Sequence, residues 1–340
     1  MENLLSSAAS HDTLPDTFVF PADQRPPAST AAVDIPVIDL SLPRDEVRRA
    51  VLDAGKALGF FQVVNHGVPE DAMRGMDAAC EAFFRLPAEA KAGFFSEDPA
   101  RPNRLFSSTV YGAGGERYWR DCLRLACGAF PVDDATRTAW PDKPHGIREA
   151  VERFLVPTRA LGTDLLRLLC EGMGLRGDHF AGDLSGGDVV VNVNHYPPCP
   201  DPARTLGLPP HCDRNLITLL RQGGGVPGLQ VAHAGGGGGD WIQVEPVPGA
   251  FVVNFGHQLE IATNGVLKSV EHRAVPDAAR PRTSVATFIL PTEECLVRPA
   301  EELVDAKEGP RYRAVTFREF MRVYKAVGAR RESVEKAFRI

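Results

Sequence analysis

The chain has no two cysteines at the C-x-x-C spacing of a zinc or redox site, no excess of basic residues, and no apolar run long enough to cross a bilayer. Its seven cysteines, Cys80, Cys122, Cys127, Cys170, Cys199, Cys212 and Cys295, are scattered and odd in number. They read as reduced thiols rather than a disulfide framework. A net charge of −6 argues against a general nucleic-acid or anionic-membrane binder, since both partners select a basic face. The opening MENLLSSAASHDT has no cationic stretch followed by an apolar one, so a cytoplasmic protein is the default expectation. No internal repeat is visible. What is present is ordinary globular composition: 340 residues, 44% hydrophobic and 24% charged, enough for a substantial core.

The character of the chain changes along its length. Residues 1–35, rich in proline and alanine, read as an extended N-terminal arm. Residues 36–186 carry helical periodicity, first through Val47, Val51, Leu52 and Leu58, then through Met73, Met76, Cys80 and Phe83 after Pro69, with the buried strand FFQVVNHG between them. A longer helical stretch follows, which Pro157 should kink or split. From residue 187 to 300 the pattern becomes short runs rich in Val, Ile, Leu, Thr and Phe separated by Gly, Pro and Asn, the signature of an antiparallel sandwich or barrel. Glycines 235–239 read as a hairpin tip. Residues 301–340 form a helical tail, with Thr316 as a candidate N-cap.

Within the all-β segment stands LGLPPHCDRNLITLLRQ. If His211 and Asp213 share a strand, positions i and i+2 place an imidazole and a carboxylate on one face. The pattern alone is cheap: with 9 His and 23 Asp in 340 residues, chance gives about 9 × 23/340, or roughly 0.6 such pairs. A third candidate ligand, His272, lies in the strand-like run KSVEHRAV. Two His and one carboxylate, with adjacent positions left open, suit non-haem Fe(II) better than a closed structural zinc site. Ten residues on, RTSVATFIL alternates Arg282, Ser284, Ala286, Phe288 and Leu290 onto one face. A guanidinium on an apolar barrel face calls for a bidentate carboxylate partner, unless it reaches solvent at the strand end. Asn192, Asn194 and Tyr196 likewise share one face of VNVNHYPPCP.

Taken in order, NHYPPCPDP, LGLPPHCDRNLITLL, PVPGAFVVNFG, TNGVLKSVEHRAV and RTSVATF closely resemble the plant soluble 2-oxoglutarate- and Fe(II)-dependent dioxygenases, and VIDLS, GFFQVVNHG and FFRLP extend the likeness toward the N-terminus. The resemblance implies a double-stranded β-helix, or jelly roll, flanked by helices. It implies Fe(II) on His211, Asp213 and His272. It also implies that 2-oxoglutarate sits on Arg282 and Ser284 with Tyr196 and Asn194 contributing, that O2 is consumed, and that ascorbate serves as reductant. The expected partner is a small molecule acted on by a monomer, with no nucleic acid and no membrane.

GERYWRDCLRLAC resembles the family strand bordering the substrate cavity, where alternation puts Cys122 and Arg124 on one face. Arg124 then suggests an anionic substrate, with Arg104, Arg214, Asn192, Phe288 and Leu290 as further candidate contacts. PNRLFS, YWRDCLRLAC, DLSGG and HCDRNLITLL most resemble the grass mugineic-acid-type hydroxylases, with some likeness to hyoscyamine 6-hydroxylase. The competing expectations are the same chemistry on an alkaloid, phenolic acid or flavonoid, and a catalytically silent jelly-roll binder.

Overall fold

The computed structural model describes residues 4–7, 11–26, 34–108, 117–128, 130–233 and 241–340. Its elements in chain order are β1 (Val37–Asp39), α1 (Arg44–Ala57), β2 (Phe60–Val64), α2 (Glu70–Arg85), α3 (Ala88–Lys91), β3 (Arg104–Ser107), β4 (Asp121–Cys127), α4 (Asp134–Ala139) and α5 (Ile147–Gly172). Then come β5 (Val189–Tyr196), β6 (Leu208–His211), β7 (Ile217–Gln222), β8 (Leu229–Ala232), β9 (Trp241–Gln243), β10 (Phe251–Phe255), α6 (His257–Ala262), β11 (His272–Ala274) and β12 (Arg282–Ile289). The tail adds β13 (Leu296–Val297), β14 (Val315–Thr316), α7 (Phe317–Val327) and α8 (Arg331–Phe338).

The strands form an eight-stranded sheet, in the order β1-β2-β10-β7-β12-β5-β4-β3, and a four-stranded sheet, β6-β11-β8-β9. All pairings in the two sheets are antiparallel except β1 with β2. This is the expected double-stranded β-helix. Strand alternation sorts the residues of the large sheet. On β5, Val189, Val191 and Val193 join the main core, while Val190, Asn192, Asn194 and Tyr196 line the cavity. On β12, Val285 and Ile289 face that core, and Arg282, Ser284, Ala286 and Phe288 face the cavity.

Helix α5 covers the outer face of this sheet, burying Val151, Phe154, Leu155, Leu161, Leu165 and Leu169. It comes so close that a Cβ on Gly162 would lie 2.6 Å from Ile289 Cδ1 and 2.9 Å from Leu219 Cδ1. Of the two outcomes expected at Pro157, the split does not occur: the helix runs unbroken for 26 residues. Pro157 is half-buried and Arg153, whose carbonyl loses its helical partner, is exposed, so water can satisfy that oxygen.

The N-terminal arm differs from a free extended segment. Among its described residues, Leu4, Leu5, Phe18 and Phe20 are buried, and the chain makes three short 3-10 turns. Asp121, fully buried, accepts from the Leu5 and Ser6 amides at 3.1 and 2.7 Å. Phe18 and His11 pack edge-on against Trp119. The arm therefore braces the start of β4. Glycines 235–239 lie outside the described residues, although β8 and β9 on either side pair antiparallel. All seven cysteines are free and buried, and among the described residues no helix is long and apolar enough to cross a membrane.

Candidate metal centre and active site

His211 and His272 are direct cross-strand partners between β6 and β11. This register sets their rings 4.2 Å apart, centroid to centroid. Each imidazole turns its Nδ1 to a backbone carbonyl two residues back, Pro209 O at 2.8 Å and Val270 O at 3.2 Å. A carbonyl can only accept, so Nδ1 carries the proton and Nε2 is the metal-facing nitrogen. The two Nε2 atoms lie 3.7 and 3.8 Å from Asp213 Oδ1. All three donor atoms fall within 4.8 Å of one another, the one such group of three or more metal-capable side chains among the described residues.

His211 and Asp213 are not brought together by a shared strand face, as the sequence suggested. β6 ends at His211, and Asp213 lies in the loop beyond it. β6 is an edge strand, which is why it tolerates Pro209 and Pro210, neither of which can donate to a ladder. The Asp213 carboxylate is oriented from its other side: Oδ2 accepts from Thr218 Oγ1 at 2.6 Å and from Asn254 Nδ2 at 2.8 Å. Thr218 and Asn254 are themselves cross-strand partners on β7 and β10.

Burial, and then the neighbouring His272, push the His211 imidazole down to about 3, so it is a neutral ligand at physiological pH. Burial opposes ionisation of Asp213, but the adjoining imidazoles and the Thr218 and Asn254 hydrogen bonds outweigh it and hold the carboxyl below its ordinary value. Two imidazole nitrogens and one carboxylate oxygen within 4.8 Å of one another are a donor set that fits Fe(II) with coordination positions to spare.

Arg282, only 2% exposed, lies in the same cavity. Its guanidinium donates to Gln222 Oε1 at 2.9 Å and Ser284 Oγ at 3.3 Å, and its carbon sits 5.3 Å from the Tyr196 ring centre. Its buried Nε has no hydrogen-bond partner, and no carboxylate among the described residues pairs with it. Burial accordingly draws its pKa down from the ordinary value. A buried cation held by neutral oxygens and an aromatic face is built to receive a carboxylate.

Of the residues singled out from sequence, the cavity gathers His211, Asp213, His272, Arg282, Ser284, Tyr196, Asn194, Asn192, Phe288, Leu290 and Arg214. Cys122 and Arg124 pair with Asn194 and Asn192 and share their sheet face, and Arg104 pairs with Arg124, but these three lie beside the cavity rather than in its wall. The cavity residue from this segment is Arg120, which is 3% exposed and donates to Asn194 Oδ1 at 3.0 Å. Sequence reasoning missed Arg120, though the alternation through Cys122 and Arg124 reaches it one step earlier. It also missed Thr218, Asn254, Phe60, Arg273 and Tyr324. Arg120, Arg214, Arg273 and Arg282 oppose a single carboxylate, Asp213, in the described wall.

Comparisons with known proteins agree with this geometry. Residues 187–291 match the 2OG-Fe(II) oxygenase superfamily, and residues 35–143 match the N-terminal region of non-haem dioxygenases of the morphine-synthesis type. The chain is 59% identical to the 2'-deoxymugineic-acid 2'-dioxygenase of Hordeum vulgare over 96% of this chain and 94% of that one. It is 52% identical to the mugineic-acid 3-dioxygenase of the same species over 93% and 90%. The crystal structure of JOX2 in complex with 2OG, Fe and JA superposes with a TM-score of 0.87 at 32% identity, covering 98% of this chain and 96% of that one. The chain belongs to the 2-oxoglutarate- and Fe(II)-dependent oxygenases, and its chemistry is that of a 2-oxoglutarate-dependent dioxygenase.

Proposed function

We propose that this enzyme hydroxylates a small carboxylate-bearing metabolite of the mugineic-acid phytosiderophore class, with 2'-deoxymugineic acid the foremost candidate. In this reading His211, Asp213 and His272 hold Fe(II). Arg282 and Ser284, backed by Tyr196 and Asn194, take the distal carboxylate of 2-oxoglutarate. Bound iron and co-substrate together supply an O2-derived oxidant able to attack an unactivated C–H bond, with succinate and carbon dioxide released. The residues of the chain bind and orient: His211 and His272 present Nε2, Thr218 and Asn254 turn Asp213 so that one oxygen faces the ion, and Arg282 fixes one end of the co-substrate. The apolar wall of Phe60, Leu208, Leu220, Leu229 and Phe288 keeps bulk water away from the reacting centre.

The observation that carries the substrate class is the charge of the cavity. With Arg282 given to the co-substrate and the Arg273 guanidinium lying over Trp241 and bonding Gln230, Arg120 and Arg214 remain in the wall against the one carboxylate, Asp213, and a field of that sign favours an acid over a cationic alkaloid. Arg124 and Arg104 extend the basic strip from Arg120 along β4 and β3. Cys122 sits among Arg120, Arg124 and Arg104, close enough to feel all three charges. The names of the two Hordeum relatives point to the same class of acid. Seven free, buried thiols support a reducing, cytoplasmic setting.

The test is turnover of 2'-deoxymugineic acid with Fe(II), 2-oxoglutarate, O2 and ascorbate, followed by mass spectrometry. The expected product carries one added oxygen, with succinate formed in step. Oxidation of a cationic alkaloid or neutral flavonoid in preference to the acid would overturn the substrate reading.

A further inference from the structure

The backbone between the first two metal ligands is held by the far end of the chain. Tyr324 Oη, on α7, donates to the Cys212 carbonyl at 2.9 Å. The Cys212 amide donates to the Ala329 carbonyl, also at 2.9 Å. Both backbone polar groups of the residue between His211 and Asp213 are thus engaged by the C-terminal tail. The reason lies in β6: it is an edge strand containing two prolines, and it ends at His211, so no ladder continues through Cys212.

The third ligand is flanked in the same way. Glu271, which precedes His272, accepts from Arg330 Nε and from the Arg331 amide, each at 2.8 Å. The Arg331 guanidinium donates to the Ser269 carbonyl and forks onto Glu260, with Nη1 to Oε2 at 3.0 Å and Nη2 to Oε1 at 2.5 Å. Glu260 is 2% exposed, and its carboxylate also accepts from the Ser269 amide at 2.9 Å and from Tyr312 at 3.0 Å. Residues 324–331 therefore grip both ligand-bearing segments at once. Cys212, Tyr324 and Ala329 are all buried, so water cannot replace these bonds without cost.

We propose that residues 324–331 are a clasp that sets the spacing of the three ligand atoms, with Tyr324 and Arg331 as positioning residues for metal affinity. The inference rests on His211, Asp213 and His272 being the metal ligands. Linkage makes it reciprocal: if the tail tightens the metal site, bound metal must steady the tail by the same free energy.

The test uses the full-length protein freed of metal and titrated with Co(II), followed by visible d–d absorption. Tyr324→Phe removes one hydroxyl and should weaken Co(II) about tenfold, the low end of the range for groups supporting metal ligands. Arg331→Lys, which loses the planar fork, should weaken it in the same direction. Hydrogen exchange of the α7 and α8 amides should slow on Co(II) binding in the parent protein, and slow less in Tyr324→Phe. Thr158→Ala, which deletes the buried bond from Thr158 Oγ1 to the Phe154 carbonyl in α5, should lower the melting temperature and leave Co(II) affinity unchanged. Parent-like Co(II) affinity in both tail variants, or equal weakening in Thr158→Ala, would overturn the clasp. A parent protein that yields no d–d band would overturn both the clasp and the metal-site reading beneath it.

Discussion

Thr218 Oγ1 donates to Asp213 Oδ2 at 2.6 Å, while the opposite oxygen, Oδ1, faces the Nε2 atoms of both histidines. The threonine thereby selects which carboxylate oxygen is offered to a metal, and Asn215 Nδ2 holds that hydroxyl in turn at 3.0 Å. Thr218→Val keeps the shape and deletes the donor, leaving Asn254 alone on Oδ2. Divalent metal affinity should fall roughly tenfold, as read by calorimetric titration with Mn(II). Unchanged affinity would mean that Asn254 alone suffices to orient the carboxylate.

Arg282 contacts no metal ligand, so its loss should separate the two cofactors. Arg282→Ala removes a buried charge that awaits a carboxylate, an interaction worth about 2–5 kcal/mol when one partner is truncated. The KM for 2-oxoglutarate should rise by about two orders of magnitude or more, while Mn(II) affinity shifts less than about threefold. Arg282→Lys should recover only part of the loss, because an ammonium cannot offer two parallel donors. Equal weakening of metal and co-substrate would contradict the assignment.

The basic strip makes a different prediction. Arg120→Leu should raise the KM for an acidic substrate by about tenfold, and Arg124→Leu, beside the cavity, should raise it less, through the local field alone. Arg120 lines the cavity itself, and should have the larger effect. If neither variant alters the KM for the acid, the charge argument for the substrate fails.

Acid should destabilise the metal-free protein through histidines buried in neutral form. His195 stacks on Phe84 with ring centres 4.6 Å apart, and burial, against the opposing pull of Asp121, drives its imidazole down to about 4. Between the ordinary value near 6.5 and this lowered one, the unfolded chain binds a proton that the folded chain refuses. Stability is therefore fully present above about pH 6.5 and is lost as the pH falls toward 4, by about 1–3 kcal/mol for this group. Urea melts at pH 7 and pH 4.5 should show the loss, and His195→Gln should shrink the difference between the two. An identical difference in the variant would assign the acid sensitivity to other groups.

The parts of the fold and site legible in the sequence were those carried by one strand at a time. Alternation alone put Arg282, Ser284 and Phe288 on one face of β12 and Asn192, Asn194 and Tyr196 on one face of β5, and the cavity contains all six. What depended on register between strands was hidden. His211 meets His272 because β6 pairs with β11, and Thr218 meets Asn254 because β7 pairs with β10. The strand-face argument named His211 and Asp213 for the wrong reason, since the ladder stops between them. The split expected at Pro157 did not occur, because the lost bond is a single one in a 26-residue helix whose apolar face is buried along its whole length. Tyr324 and Ala329, more than a hundred residues beyond Cys212, left no local signal at all.

The central claim is that two imidazoles and one carboxylate hold Fe(II) while Arg282 anchors the 2-oxoglutarate that chelates it. Anaerobic titration of the metal-free protein with Fe(II) and 2-oxoglutarate reads this directly as a visible metal-to-ligand charge-transfer band. The band should appear in the parent protein, vanish in His211→Ala, and require far more 2-oxoglutarate in Arg282→Ala. A band that persists undiminished in His211→Ala, or never forms in the parent, would contradict it.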